Sequence, residues 1–179
     1  MSSPLHLPRF DWEASASLED LLNDILAIQR FPDELARVLK QVDDQNRHHA
    51  YREGGWTINQ LVHHLADAHL NAFLRTKHLV TADADTIQPF DHEAWAQTPE
   101  IEFPLESSVI ILLGVHQRWS GLLLECLKKP AEFLPRAMHH PENGRRVTLV
   151  DMIRLYAWHG QHHLMQISYA IENPVVTGK

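Results

Sequence analysis

The chain has 179 residues, with 16 Lys and Arg against 23 Asp and Glu, so its formal charge is −7 with His neutral. That length suits a single domain over residues 1–179, and 44% hydrophobic with 22% charged residues excludes a disordered chain. The acidic balance without a basic stripe argues against nucleic acid as a partner, and the one cysteine, Cys126, excludes a disulfide framework or a Cys-rich zinc module.

Met1 to Trp12 lacks a basic n-region and an apolar h-region, so no signal peptide is expected there. No apolar run approaches the ~18 residues that span a bilayer, and the expectation is a cytoplasmic protein with no membrane partner. The first predicted helix covers Leu18 to Val42, with Leu21, Leu22, Ile25, Ile28, Leu35, Val38, Leu39 and Val42 on one face. Pro32 is expected to kink or break it, because proline removes a helical hydrogen bond.

The second helix is predicted from Thr57 to Val80, after Gly54-Gly55-Trp56, with Thr57 and Gln60 at the spacing of a capping box. Thr81 to Leu105 then forms a connection far longer than an ordinary helix-to-helix turn. Such a loop can run the length of the domain and let its flanking helices point the same way. It carries Phe90, Asp91, Trp95 and Phe103, which suits an ordered lid better than a linker. The third helix is predicted over Glu106 to Lys128, ending before Pro130. Arg136 to Thr148 reads as a small hairpin with its turn at Glu142-Asn143-Gly144. The fourth helix runs from Thr148, with Asp151 in its first turn, to Glu172 before Pro174. The fold class is all-α, a four-helix bundle.

Fourteen histidines raise the question of metal binding. On the fourth helix His159 and His163 are four residues apart, on one face and one turn from each other, so both imidazoles can reach one ion. His163 lies inside the apolar arc of Leu149, Ile153, Tyr156, Leu164 and Ile167, His159 sits on its edge, and His162 points away. Spacing alone is weak, since so many histidines give about one such pair by chance. On the second helix His64 flanks the stripe of Ile58, Leu61, Leu65, Ala68 and Ala72; His63 lies nearly opposite, and His69 falls within the stripe as a competitor. Asp67 is three residues from His64, placed to accept a hydrogen bond from a ligand imidazole.

At ~1.5 Å rise per residue, His64 comes to a similar level as His159 and His163 when helices two and four are antiparallel, and falls roughly 9 Å out of register when they are parallel. Three imidazoles without a fourth protein ligand describe an open site, in which the ion activates water, a thiol or a carbonyl. No Glu-x-x-His, His-Glu-x-x-His, phosphate-binding Gly loop or Gly-x-Ser-x-Gly occurs. Cys126, within Leu122 to Leu127, reads as a buried inert thiol.

Tyr51-Arg52-Glu53-Gly54-Gly55-Trp56-Thr57, Val62-His63-His64-Leu65-Ala66-Asp67-Ala68-His69, Pro89-Phe90-Asp91 with Ala94-Trp95, and Tyr156 with Trp158-His159 and His162-His163 resemble the YfiT-like branch of the DinB superfamily. The resemblance covers most of the chain from Pro32 onward. It implies helices running up, down, down, up, a homodimer, and one divalent metal per chain, with Zn2+ first and Ni2+ second. It places the three metal ligands on His64, His159 and His163, with Tyr156 and Trp95 as pocket candidates. Family members carry the provisional label of metal-dependent hydrolase and act on a small-molecule substrate. Some relatives are S-transferases for a low-molecular-weight thiol such as bacillithiol, and a non-catalytic metal-binding stress protein is the third reading. Gln88 and Phe90 replace the Arg and Tyr expected around Pro89 in such relatives.

Overall fold

A computed structural model describes residues 8–82, 84–142 and 144–176. Among them the elements are α1 (Leu18–Leu39), β1 (His49–Ala50), α2 (Ile58–Thr81), α3 (His92–Trp95), a 3-10 turn (Pro99–Glu102), α4 (Leu105–Leu127), α5 (Pro130–Phe133), β2 (Ala137–His139), β3 (Arg146–Thr148), α6 (Leu149–Glu172) and β4 (Val175–Val176). The four long helices form the bundle. Three of them start on reciprocal caps: Ser17 with Asp20, Thr57 with Gln60, and Thr148 with Asp151. Each pair satisfies two backbone donors that the first turn leaves without partners.

Side-chain pairs fix the directions. Along α2 and α4, His63 meets Ser108, His69 meets His116 and Thr76 meets Trp119, so these helices run parallel. Along α2 and α6, His64 meets His163, His69 meets His159 and Arg75 meets Tyr156, so these run antiparallel. Phe31 against Gly160 and Glu34 against Gln161 bring α1 alongside α6. The order is up, down, down, up, with α1 and α2 each packed on α4 and α6 and diagonal to one another.

Because α2 and α4 are parallel, residues between Thr81 and Leu105 must travel back along the bundle. They are tied to α2 on the way, by Arg75 Nη2 donating to the Gln88 carbonyl at 2.8 Å and Gln60 Nε2 donating to the Ala96 carbonyl at 2.9 Å. Asn59 donates to the Ile101 carbonyl, and Arg47 reaches the carbonyls of Glu102 and Phe103. The expected hairpin is β2 paired antiparallel with β3, its bend turning through Gly144 at φ +65°; Asn143 lies outside the described residues.

Several expectations need correction. Helix α1 continues through Pro32 instead of breaking, and it ends at Leu39, short of Val42. Leu22 is exposed, and Phe31 and Pro32, outside the expected face, are buried along with Leu21, Ile25, Ile28 and Leu35. Helix α4 is, by length and composition, apolar enough to cross a membrane, although scattered polar residues keep its apolar runs short. In this fold it packs against α1 and α2 through Leu112, Trp119 and Leu123. The two-residue pairing of β1 with β4 and the short α3 and α5 have no periodic pattern to announce them.

Candidate metal centre

His64 from α2 and His159 and His163 from α6 meet at the floor of a cavity of about 610 Å³. The Nε2 of His159 lies 3.3 Å from that of His64 and 3.1 Å from that of His163. Two nitrogens bound to one tetrahedral zinc at ~2.05 Å would be about 3.3 Å apart, so the three atoms are spaced to share such an ion. Burial, followed by the neighbouring His163 and His92, pushes the His64 pKa down to about 3. Burial likewise brings His163 to about 4, against a raising hydrogen bond from Gln166, and holds His159 well below the ordinary imidazole value. All three rings are therefore neutral near pH 7, the form that donates a lone pair to a metal.

The supporting contacts orient those rings. Nδ1 of His163 donates to Gln166 Oε1 at 2.7 Å, leaving its Nε2 for the cluster. Gln166 is itself anchored to His162, which stacks on Trp158 with ring centres 4.5 Å apart. His162, expected to point away, instead lines the same cavity beside His163, but its ring nitrogens do not join the cluster of His64, His159 and His163. Trp56, from the segment leading into α2, packs its indole 4.6 Å from the His64 ring and donates Nε1–H to Glu93 at 3.1 Å.

Other histidines divide differently than helix periodicity suggests. His63 is buried, not outward: its ring nitrogens face Ser108 Oγ at 2.7 Å and the Phe103 carbonyl at 3.3 Å. Helix α2 lies between α4, α6 and the crossover loop, so nearly every side of it is covered. His69 is fully buried and does not join the three ligand nitrogens; its Nε2 lies 3.1 Å from Nδ1 of His159. Among the described residues the Asp67 carboxylate makes no hydrogen bond to His64. Burial, with Glu100 adding to it, raises the Asp67 pKa to about 6.

The loop contributes to the cavity through Phe90, as expected, and through two residues that were not expected. Phe90, His92 and Glu93 line it, and Tyr156 lines it from α6. Trp95 does not: it is 41% exposed and stacks on Phe90 with ring centres 4.7 Å apart. His92 and Gln166 do not stand out in the sequence; Trp56 does so only as part of the Tyr51 to Thr57 motif, directly before the Thr57 cap. Cys126 is buried, and burial pushes its thiol pKa up, in line with an inert side chain.

The sequence pattern of the DinB superfamily matches residues 27–167. The chain belongs to the DinB superfamily. A relative from Bacillus mycoides (strain KBAB4), named "Putative metal-dependent hydrolase", is 40% identical over 144 residues, 80% of this chain and 81% of its own. A Bacillus cereus (strain 03BB102) protein of the same name is 38% identical over the same share. The solved structure of YfiT from Bacillus subtilis, described as a probable metal-dependent hydrolase with an unusual four-helix bundle topology, matches with a TM-score of 0.83 at 30% identity. The match covers 90% of this chain and 91% of that one. The four-helix bundle thus agrees with the reading from the residues, and within it His64, His159 and His163 of this chain stand together.

Proposed function

We propose that this chain is a metal-dependent hydrolase in which His64, His159 and His163 hold one divalent ion, Zn2+ first and Ni2+ second. The convergence of three neutral Nε2 atoms on the floor of an accessible cavity carries the reading. When bound, the ion supplies Lewis acidity, lowering the pKa of a water toward ~7 and polarising a substrate carbonyl. Trp56 and Phe90 provide apolar walls that orient the substrate and limit competing water. Burial keeps the Tyr156 phenol protonated; its oxygen accepts from Arg75 Nη1 at 3.4 Å, so its own O–H is free to donate to a substrate oxygen. His92 and Glu93 stand at the rim as the groups able to take a proton.

A second reading, transfer of a low-molecular-weight thiol to an electrophile, draws support from the cavity size, which leaves room for two small reactants side by side. The proposal also takes the chain as a cytoplasmic homodimer acting on a small molecule; exposed Leu70 and Leu74 on α2 and Ile111 on α4 support association of two copies. Metal-loaded protein is incubated with simple esters and amides, and separately with a thiol and an alkylating electrophile. Hydrolysis in the first set is the expected result. Conjugation alone replaces it with the transferase, and no turnover in either leaves a non-catalytic metal-binding bundle.

A further inference from the structure

We infer that the backbone carbonyl of Ile28 fixes the tautomer of His159 through a buried row of two further imidazoles, His116 and His69, making both of them positioning residues of the metal centre. The purpose of the row rests on the metal-centre reading; the contacts that define it do not.

The row starts at a proline. Pro32 has no N–H, so the carbonyl of Ile28, four residues earlier, loses its partner within α1. Ile28 is buried, and an unpaired buried carbonyl is costly. Nδ1 of His116, reaching across from α4, lies 2.5 Å from that oxygen. A carbonyl can only accept, so this nitrogen carries the hydrogen. Burial holds His116 down to about pKa 4, so near neutral pH the ring has one proton and its Nε2 is bare.

Each following step has a single solution. The bare Nε2 of His116 faces Nδ1 of His69 at 2.8 Å, which must then be the donor. His69 is fully buried among Phe31, Trp119 and Tyr156, with no carboxylate against it among the described residues, so it holds one hydrogen, and its bare Nε2 accepts from Nδ1 of His159 at 3.1 Å. His159 has thus placed its one proton away from the cavity and presents Nε2 as a lone pair. No ring changes its protonation state at any point. The order of donors and acceptors is set from the carbonyl end.

Packing keeps the rings from turning over. Phe31 lies against His69 and His116 with ring centres 5.4 and 5.6 Å away, and Trp119 closes on both at 6.2 and 5.9 Å. Phe31 comes this close because residue 160 is glycine: a Cβ there would stand 2.9 Å from the Phe31 ring. With His163 oriented by Gln166, the row leaves two bare nitrogens 3.1 Å apart with no hydrogen between them. A bound cation relieves that repulsion, and a row that holds the His159 ring in place raises the affinity for one.

The test uses the full chain with 15N-labelled histidine at pH 7.5, metal-free and zinc-loaded, read by long-range 1H–15N imidazole spectra. His69, His116 and His159 are expected to carry their proton on Nδ1 in both forms. A proton on Nε2 of any of them in the metal-free protein overturns the inference. Chelator competition then compares His69→Leu, which removes both contacts, with His69→Gln, whose amide can accept from His159 and donate to His116. Zinc binding about 10- to 100-fold weaker in His69→Leu and within about 3-fold of the parent in His69→Gln is expected. Parental affinity in a folded His69→Leu overturns the positioning role. Should that variant not fold, the spectra of the parent and the affinity of His69→Gln still decide, a weakening of His69→Gln beyond about 10-fold counting against the row. Failure of the parent to bind zinc at all would sink the metal-centre reading, while the metal-free spectra would still decide whether the row exists.

Discussion

Nε2 of His163 faces Nε2 of His159 across 3.1 Å, one helical turn apart on α6, and His64 closes the triangle from α2. Removing one corner leaves two imidazoles, too few for an open three-nitrogen site. His163→Ala is expected to drop metal content from about one ion per chain to a small fraction, whereas His162→Ala, altering a residue outside the triangle, retains it. Elemental analysis after gel filtration reads both. Unchanged content in His163→Ala would remove that residue from the centre.

The ligands stand on helices that bury two apolar clusters of their own, one around Ile25, Trp119 and Ile153 and one around Leu35, Leu65 and Ile167. Chelation is therefore expected to abolish turnover while the helical circular dichroism at 25 °C persists, unlike the collapse of a small zinc finger. Loss of the helical signal on chelation would assign the ion a structural role.

Phe90 touches the cavity and Trp95 backs it from outside. Phe90→Ala is expected to raise KM by about 10-fold through the lost apolar wall, with Trp95→Ala changing it by less. Steady-state kinetics on the accepted substrate measure the pair; a larger effect at Trp95 would mean that the segment acts as a lid hinged differently from the contacts seen here.

Burial lowers the pKa values of His63, His64, His69, His116, His159, His162 and His163 below the unfolded value of ~6.5. Between that value and the folded ones, of which three are about 3 to 4, the unfolded chain binds more protons, so stability is present above pH ~6.5 and is lost as pH falls. Asp67 acts with the opposite sign: raised to about 6, it takes up its proton first in the folded state and gains stability as pH falls from about 6 to 4. Asp24 is raised by burial as well, and two such carboxyls do not offset seven histidines. The metal-free protein is expected to lose stability from pH 7.5 to pH 5 with a slope steeper than ~1.4 kcal/mol per pH unit, the equivalent of one proton, in urea titrations. A flat profile would mean that these rings are not held neutral by the fold.

The His64, His159 and His163 cluster is legible in part from helix geometry, since a four-residue spacing on α6 and a matching level on α2 need no knowledge of the loops, but that geometry leaves His69 as a competitor and only the family resemblance singles out His64. Burial around α2 is not legible, since periodicity shows a single stripe on a helix that is covered on several sides, and it therefore points His63 outward. Loop residues have no periodicity to read, so nothing local ranks Trp56 and Phe90 above Trp95, although all are aromatic. The local effect of Pro32 is to weaken a helix; α1 continues through it with the freed Ile28 carbonyl taken up by a donor from α4, His116, which lies 84 positions along the chain and has no local trace.

The three histidines sit on α2 and α6, but much of the rest of the cavity's lining comes from Arg52, Gly55, Phe90, His92 and Glu93, all between the long helices. Chemistry and choice of substrate are thus carried by separable parts of the chain. Exchanges at the rim can alter which molecule is admitted without moving a ligand nitrogen, whereas exchanges in the helices endanger every reaction at once. Divergence among proteins built on this bundle should therefore accumulate at the mouth of the cavity, with the floor inherited unchanged.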